Sequence, residues 1–149
     1  MSRIIKFRAW SKENEEYIED VIGGGAEWLK NNFYDYTALA EIFAGDEFVV
    51  EQYTGLKDKY GKEIYEGDIV ALLYGYIPVE PYEKEQIKID HAQKAVISYD
   101  DGKAAFRYTI ISQHNKNCQF KHQTNKSMAV IGNIHENKEL LGGEDGQRN

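Results

Sequence analysis

Three residues that can bind a metal recur at four-residue intervals in the second half of the chain: His114, Cys118 and His122. On a helix they would share one face, and imidazole and thiolate are ligands that Zn²⁺ prefers. The residues between them are polar or charged except for Phe120, which does not fit a buried helix, and no fourth ligand is evident. The segment is therefore interpreted as a polar loop, and neither a metal nor another cofactor is predicted.

Other residues could support catalysis, but each has a simpler interpretation. Cys118 with a histidine would make a nucleophile pair, yet a catalytic thiol also needs a positioned base and an oxyanion site, which the sequence does not supply. Asp100 and Asp101 could act as paired carboxylates, but Gly102 follows them between two predicted strands, as in a hairpin turn. Gly23-Gly24-Gly25 lacks the lysine and hydroxyl residue of a phosphate-binding loop. The chain is predicted not to be an enzyme.

Aromatic residues favour binding over catalysis, since the chain has 11 tyrosines and 2 tryptophans. Tyrosine and tryptophan dominate binding hot spots, although aromatic residues of small barrels mostly fill the core. The segment at 74–92 holds both prolines and more aromatic residues than an irregular connection needs. The candidate interaction surface within it consists of Tyr74, Tyr76, Ile77, Pro78 and Tyr82.

The same segment also carries a strand-like alternation at Ile87 and Ile89. An exposed edge strand can dock on another chain by strand addition. We therefore expect residues 74–92 to bind a protein partner or a second copy of the chain. The corner at 53–56 is a second candidate surface, although a tight barrel corner needs the same pattern.

Composition narrows the partners and the compartment. The 149 residues are 42% hydrophobic and 29% charged, as in an ordinary globular domain, and carry a formal net charge of −7. This charge repels a phosphate backbone, so nucleic acid is not the expected partner, although Lys116, Lys121 and Lys126 could form a local basic patch. No apolar run is long enough to span a bilayer, and no signal-peptide stretch is expected. The single cysteine fits a reducing compartment, so the predicted location is the cytoplasm.

Many short strands with turn signals between them predict a mostly β protein with a small, strongly bent sheet or barrel. A strand at 4–10 and its return at 17–22 predict an N-terminal hairpin, whereas the pattern of 23–47 is mixed. The remaining predicted elements are strands at 48–53, 69–74, 94–99, 104–111 and 128–134, a polar loop at 112–127 and one helical turn at 136–141.

Two glycines mark corners of the predicted sheet, at Gly55 and at Gly67, which precedes Asp68 and an apolar strand. Gly67 is predicted to have a positive φ, which other residues resist, while the Asp68 carboxylate accepts a nearby backbone N–H. Replacement of Gly67 by valine is then expected to destabilise the fold by roughly 1–3 kcal/mol. All three residues are candidates for a structural corner and not for a binding contact.

The stretch QYTGLKDKYGKEIYEGDIV at 52–70 resembles the signature of the YopX family of phage and prophage proteins. Three further matches follow the family's order: IKFRAW at 5–10, YDDG at 99–102, and VIGNI at 130–134 with Glu136 and Asn137 behind it. The departures are Tyr60 where Asn is usual, His135 where Tyr is common and Lys138 where Pro is common.

The resemblance implies a mostly β fold with an SH3-like barrel, a phage or prophage origin and the host cytoplasm. It carries no catalytic residue over. Three regions are predicted: N-terminal strands and a connector packed on the core at 1–47, an SH3-like core with the 74–92 insertion at 48–141, and a disordered tail at 142–149.

The predicted function is non-catalytic binding, to a protein partner or to a second copy of the chain, in the service of a phage. The first alternative is association with nucleic acid through the local lysine patch. The second alternative is an unrecognised hydrolase. A pocket with convergent polar groups would favour the enzyme, whereas a broad apolar patch would favour a protein partner.

Overall fold

A computed structural model of the chain describes residues 4–18, 44–74, 84–111, 116–121 and 123–142. The predicted mostly β fold is confirmed, because these residues contain nine strands and a single α-helix, while the SH3-like closure stays a prediction. No helix in the described ranges is long and apolar enough to cross a membrane. The elements are β1 (Phe7–Ser11), β2 (Glu16–Ile18), β3 (Phe48–Lys57), β4 (Glu63–Tyr65), β5 (Asp68–Leu72), α1 (Glu85–His91), β6 (Gln93–Asp100), β7 (Ala105–Ile110), β8 (Lys116–Gln119) and β9 (Met128–Asn133).

The chain forms two compact units, Met1–Gly55 and Leu56–Asn149, whose boundary lies within β3. The boundary predicted from the sequence, between residues 47 and 48, lies just before β3. Most of the predicted connector at 23–47 lies outside the described residues, as does the tail beyond Gly142. The two units are therefore described separately.

The N-terminal unit is built around the hairpin of β1 and β2, and β1 pairs antiparallel on its other side with β3. The Glu47 carboxylate supports the hairpin turn, because it accepts hydrogen bonds from the Ser11 hydroxyl at 2.9 Å and from the Glu13 N–H at 3.0 Å. The hairpin predicted at 4–10 and 17–22 is thus confirmed over the part of it that the structure describes.

The C-terminal unit contains a five-stranded antiparallel sheet with the order β8-β7-β6-β5-β9. Alternate residues of neighbouring strands face one hydrophobic core, so that Val70 lies opposite Ala95 and Ala95 lies opposite Ile110. Burial of each large aliphatic side chain contributes about 1.5–3 kcal/mol, which fixes the register of the strands. The buried members of this core are Ile64, Val70, Ala95, Ile97, Ile110 and Met128.

One prediction for the 74–92 insertion is wrong, because Ile87 and Ile89 lie on the helix α1 and not on an edge strand. Glu, Gln and Lys around them have high helix propensity, which here outweighs the short apolar alternation. Ile89 packs against a second small cluster formed by Ala71, Ala92 and Ala129, whereas Ile87 is exposed. Docking by strand addition at these two isoleucines is therefore excluded.

Lys94, the second residue of β6, caps the C-terminal end of α1. Its ammonium donates hydrogen bonds to the backbone carbonyls of Ile89, Asp90 and Ala92 at 3.0, 2.8 and 2.6 Å. A cation favours the negative end of the helix dipole and satisfies carbonyls that have no partner within the helix. A lysine three residues after a short polar helix thus helps to terminate it.

A second correction concerns the polar loop predicted at 112–127, which contains the strand β8 and a short 3-10 helix at Thr124–Ser127. Asn, Lys and Gln are weak strand formers, so the pairing of β8 with β7 overrides their local preference. Cys118 therefore lies on a strand, so the helix on which the three ligands would share one face is not formed at this residue. His114 and His122 lie outside the described residues.

Two predicted turns are present in modified form. Asp101 and Gly102 do join β6 to β7, but the positive φ of this hairpin falls on Ala104, at 52°. Gly102 instead donates its N–H to the Asp100 carboxylate at 3.0 Å. The helical turn predicted at 136–141 is a 3-10 helix, Lys138–Leu140.

Candidate functional site

The strongest motif of the sequence, at 52–70, shapes the backbone of a corner. Gly55 has a φ of 87° and Gly67 has the expected positive φ, at 85°. Asp68 is buried, and its carboxylate accepts the N–H of Tyr65 at 2.8 Å, as the sequence argument expects of a corner aspartate. These residues serve the backbone of their own segment.

Asp58 fastens the same corner to β9. Asp58 is only 6% exposed, and a buried carboxyl group needs hydrogen-bond partners. One carboxylate oxygen accepts the N–H groups of Tyr60 at 2.8 Å and Lys62 at 2.9 Å, and the other accepts that of Val130 at 2.8 Å. Sequence reasoning missed this role, although an aspartate opening a turn before Gly61 was the available signal.

A third group of turn residues follows β9. The Asn133 side-chain oxygen accepts the N–H groups of His135 and Glu136 at 3.0 and 2.9 Å, and the Asn137 side-chain oxygen accepts the Asn133 N–H at 3.1 Å. A Cβ on Gly132 would lie 2.5 Å from that Asn137 oxygen, so glycine is required there. The fold thus accounts for these motif residues without a ligand.

A buried ion pair joins β1 to β3 in the N-terminal unit. Arg8 Nε donates to Glu51 Oε1 at 2.9 Å, and the Tyr17 hydroxyl donates to the same oxygen at 2.9 Å. The Arg8 guanidinium also lies 4.2 Å from the centroid of the Tyr17 ring, against which Trp10 packs edge-on at 5.0 Å. Because an uncompensated buried charge is costly, this cluster holds its two strands in one arrangement.

A cavity of about 550 Å³ opens in the C-terminal unit, within the range of roughly 300–1,000 Å³ typical of ligand sites. Leu72 ends β5, Gln93 begins β6 and Ile110 ends β7, so the cavity lies at one end of the five-stranded sheet. The buried residues of its lining, Ile110 and Met128, are apolar, and we call this side of the cavity its base. The exposed lining residues are polar except for Tyr74, and we call them its margin. The described residues that line it are Leu72, Tyr74, Gln93, Tyr108, Ile110, Lys121, Gln123, Thr124, Ser127 and Met128.

Half of these lining residues come from one short stretch, residues 121 and 123–128, which we call the rim segment. The Lys121 N–H donates to Thr124 Oγ1 at 3.0 Å, and the Thr124 N–H donates back to the Lys121 carbonyl at 3.0 Å. Gln123 has a φ of 63°, a conformation that costs energy outside glycine. Asn125 donates its side-chain N–H to the Lys57 carbonyl at 2.7 Å. The rim segment is therefore held by hydrogen bonds within itself and by one to the end of β3.

Tyr108 forms one wall of the cavity. The ring packs edge-on against Phe120, with 5.4 Å between the ring centroids. Burial, together with the neighbouring Cys118 thiol, raises the pKa of Tyr108 above its ordinary value. A tyrosine is already a neutral phenol at neutral pH, and the raised pKa extends this state to higher pH.

Of the interaction surface predicted from the sequence, the structure describes one residue. Tyr74 lines the cavity and is 85% exposed, as a binding residue would be. The other four, Tyr76, Ile77, Pro78 and Tyr82, lie outside the described residues. The prediction for them stays a prediction.

The cavity as such is not visible in the sequence. Tyr108 fits the predicted strand at 104–111, and Lys121 was grouped only with Lys116 and Lys126 as a basic patch. No spacing rule links these residues, because the curvature of the sheet and the rim segment bring them together. The positive φ of Gln123 has no local sequence signal either.

A separate titratable cluster joins the turn after β3 to the start of α1. The Glu85 carboxylate accepts the Tyr60 hydroxyl at 2.7 Å and the Lys59 ammonium on the same oxygen. The hydrogen bond from Lys59, followed by that from Tyr60, lowers the pKa of Glu85. Burial and then the hydrogen bond to Glu85 raise the pKa of Tyr60 to about 12. Within the described ranges, no three His, Cys, Asp or Glu side chains could together hold a metal ion.

Comparison with protein families matches residues 6–142 to the family described as YopX protein. Among solved structures, the chain is similar to the crystal structure of protein EF1440 from Enterococcus faecalis, with 28% sequence identity and a TM-score of 0.56. This similarity covers 94% of the present chain and 99% of the other. A comparison with curated proteins gave no match.

Proposed function

This chain belongs to the YopX family, and we propose that it is a non-catalytic protein-binding module whose cavity receives a side chain of its partner. The observation that carries the proposal is the cavity itself, with an apolar base and a polar rim. In binding sites, apolar surface generally contributes the affinity and polar groups fix the orientation of the ligand. A phage or prophage origin and a place in the host cytoplasm belong to the proposal and rest on the family resemblance.

The chemistry of the lining residues supports binding over hydrolysis. The described lining contains no Asp, Glu, His or Cys that could serve as a general base or an acid–base pair. Tyr108 is a neutral phenol at neutral pH, and Thr124 accepts the Lys121 N–H with its hydroxyl oxygen. A serine or threonine without a base is a poor nucleophile.

The position of two tyrosines supports a protein as the occupant. Tyr74 and Tyr108 present rings to the cavity, and tyrosine is among the residues that contribute most to protein interfaces. Tyr74 is also the first residue of the interaction surface predicted from the sequence. Binding of a protein at this end of the sheet does not require the edge strand that was predicted at Ile87 and Ile89.

The proposal is tested by affinity capture from host cells with nuclease present, followed by calorimetry on the captured protein. Tyr74→Ala should weaken binding at least tenfold, and Tyr99→Ala, at an exposed tyrosine outside the cavity, should leave it unchanged. Capture that is indifferent to Tyr74→Ala would contradict the proposal. A native mass of two chains that Tyr74→Ala reduces to one would show self-association, and loss of capture with nuclease would show a nucleic-acid partner.

A further inference from the structure

The charge of the cavity differs from that of the molecule around it. Acidic residues outnumber basic ones by 25 to 18 in the whole chain. In the described lining, however, Lys121 is the single charged residue, and the others are apolar or uncharged polar groups. A site whose single charge is a lysine attracts a negative group.

Hydrogen-bond donors are concentrated beside that lysine. The Lys121 ammonium has three N–H groups, and the structure gives it no ion pair among the described residues. Thr124 Oγ1 accepts the Lys121 N–H, which leaves its own hydroxyl hydrogen to donate to a ligand. Ser127 and the carboxamides of Gln93 and Gln123 add further donors at the same margin. A carboxylate accepts several hydrogen bonds and is the natural counterpart of such a margin.

The base of the cavity selects for an apolar group. Leu72, Ile110 and Met128 belong to or adjoin the hydrophobic core, and the Tyr108 ring stands beside them. A ligand that filled only the polar margin would leave this surface in water, and a purely apolar ligand would leave the donors unused. A group that fits both the apolar base and the polar margin consists of an apolar ring or chain joined to a carboxylate.

We infer that the partner segment anchored in the cavity carries an apolar side chain adjacent to a carboxylate, with Lys121 and Thr124 receiving the carboxylate. This inference rests on the proposed function and names the chemistry of its partner. A carboxyl-terminal aromatic or aliphatic residue has both groups on one residue, and a cavity of about 550 Å³ accommodates it.

The inference is tested with two matched probes, N-acetyl-glycyl-phenylalanine as the free acid and as its amide, titrated into ¹⁵N-labelled full-length protein. The free acid should shift the amide resonances of Gln93, Ile110 and Thr124 and bind about fivefold more tightly than the amide. Lys121→Gln should abolish the difference. Lys126→Gln, an exposed lysine of the rim segment that does not line the cavity, should preserve it.

The outcomes separate this inference from the proposed function. Equal binding of acid and amide in the cavity would overturn the carboxylate preference and leave the binding module standing. Phenylacetate serves as a third probe, because it joins the same ring to a carboxylate without a peptide bond. If it binds more tightly than the dipeptide acid, a small carboxylate and not a peptide end is the ligand, and the inference is overturned. Absence of any shift at the three cavity residues with all probes would overturn this inference, whereas the proposed function fails only if partner capture is indifferent to Tyr74→Ala.

Discussion

Gly61 and Gly67 have the same φ, 85°, but they differ in what surrounds them. A Cβ on Gly61 would meet no atom within 4 Å, so a substitution there adds only backbone strain. Gly67 donates its N–H to the Ile97 carbonyl and accepts the Ile134 N–H, both at 2.9 Å. Its backbone is therefore fixed by two other segments and cannot relax toward ordinary angles.

We expect Gly67→Ala to lower the free energy of unfolding by roughly 1–3 kcal/mol and Gly61→Ala by about 1 kcal/mol, because left-handed angles are costly for a residue with a Cβ. Gly102→Ala, at a glycine without positive φ, should stay within about 0.5 kcal/mol. Urea unfolding of the three variants measures the series. A Gly67→Ala variant as stable as wild type would remove the basis for a conformational role of this glycine.

Elements differ in how far the sequence reveals them. The apolar alternation in the sequence predicts β1, β6 and β7. In the structure the burial follows this period of two in β6, whereas β1 is buried at four consecutive residues. β8 is not visible, because its polar residues are in a strand only through pairing with β7. For α1 the two isoleucines gave a strand pattern over too few residues to outweigh its helix formers.

The contact between α1 and the turn after β3 gives a pH-dependent prediction. A folded-state pKa of about 12 for Tyr60 exceeds its ordinary value of 10.0, so the folded state favours the neutral phenol. The stability that this contributes is fully present below pH 10.0 and is lost as the pH rises through about 12.

Glu85→Gln should lower the pKa of Tyr60 only part of the way, because burial is the larger cause and the carboxylate the second. Tyrosine ¹³C resonances, assigned with Tyr60→Phe, follow the titration. Asp90→Asn on the same helix is the matched control and should leave the Tyr60 titration unchanged. An identical pKa of Tyr60 in wild type and Glu85→Gln would show that their hydrogen bond is absent in solution.

At the scale of the whole molecule, charge is distributed unevenly along the chain. Met1–Gly55 has 11 acidic and 5 basic residues, whereas Leu56–Asn149 has 14 and 13. The formal charges of the two units are thus −6 and −1, which together give the net −7. The unit that holds the cavity is close to neutral, so a carboxylate-bearing partner meets little repulsion from it.

The same distribution predicts weak binding to nucleic acid. At physiological salt, we expect the affinity for a 30-base-pair duplex to be weaker than the roughly 10⁻⁴–10⁻⁶ M of non-specific binders, since neither unit has a basic excess. Fluorescence anisotropy measures this, and substitution of Lys116, Lys121 and Lys126 by glutamine should not change it. Sub-micromolar binding that falls steeply with salt would instead favour the nucleic-acid alternative.

The fold class was predictable as a whole, but the candidate site was predictable only at Tyr74. Strand patterns and the motif at 52–70 depend on local chemistry, which a sequence displays directly. The cavity depends on which strand ends meet and on the strained Gln123, and both are consequences of packing. The motif residues that the sequence displays best, such as Gly67 and Asp58, serve the fold and not the cavity.

The hydrogen bond from the Val130 N–H to Asp58 joins residues 72 positions apart. A ribosome adds roughly 5–20 residues per second, so Asp58 is made some 4–14 seconds before its partner. During that interval the corner lacks one of its three N–H donors, and the Lys59 N–H lacks the Met128 carbonyl that it later bonds. The corner is thus completed only after β9 has left the ribosome.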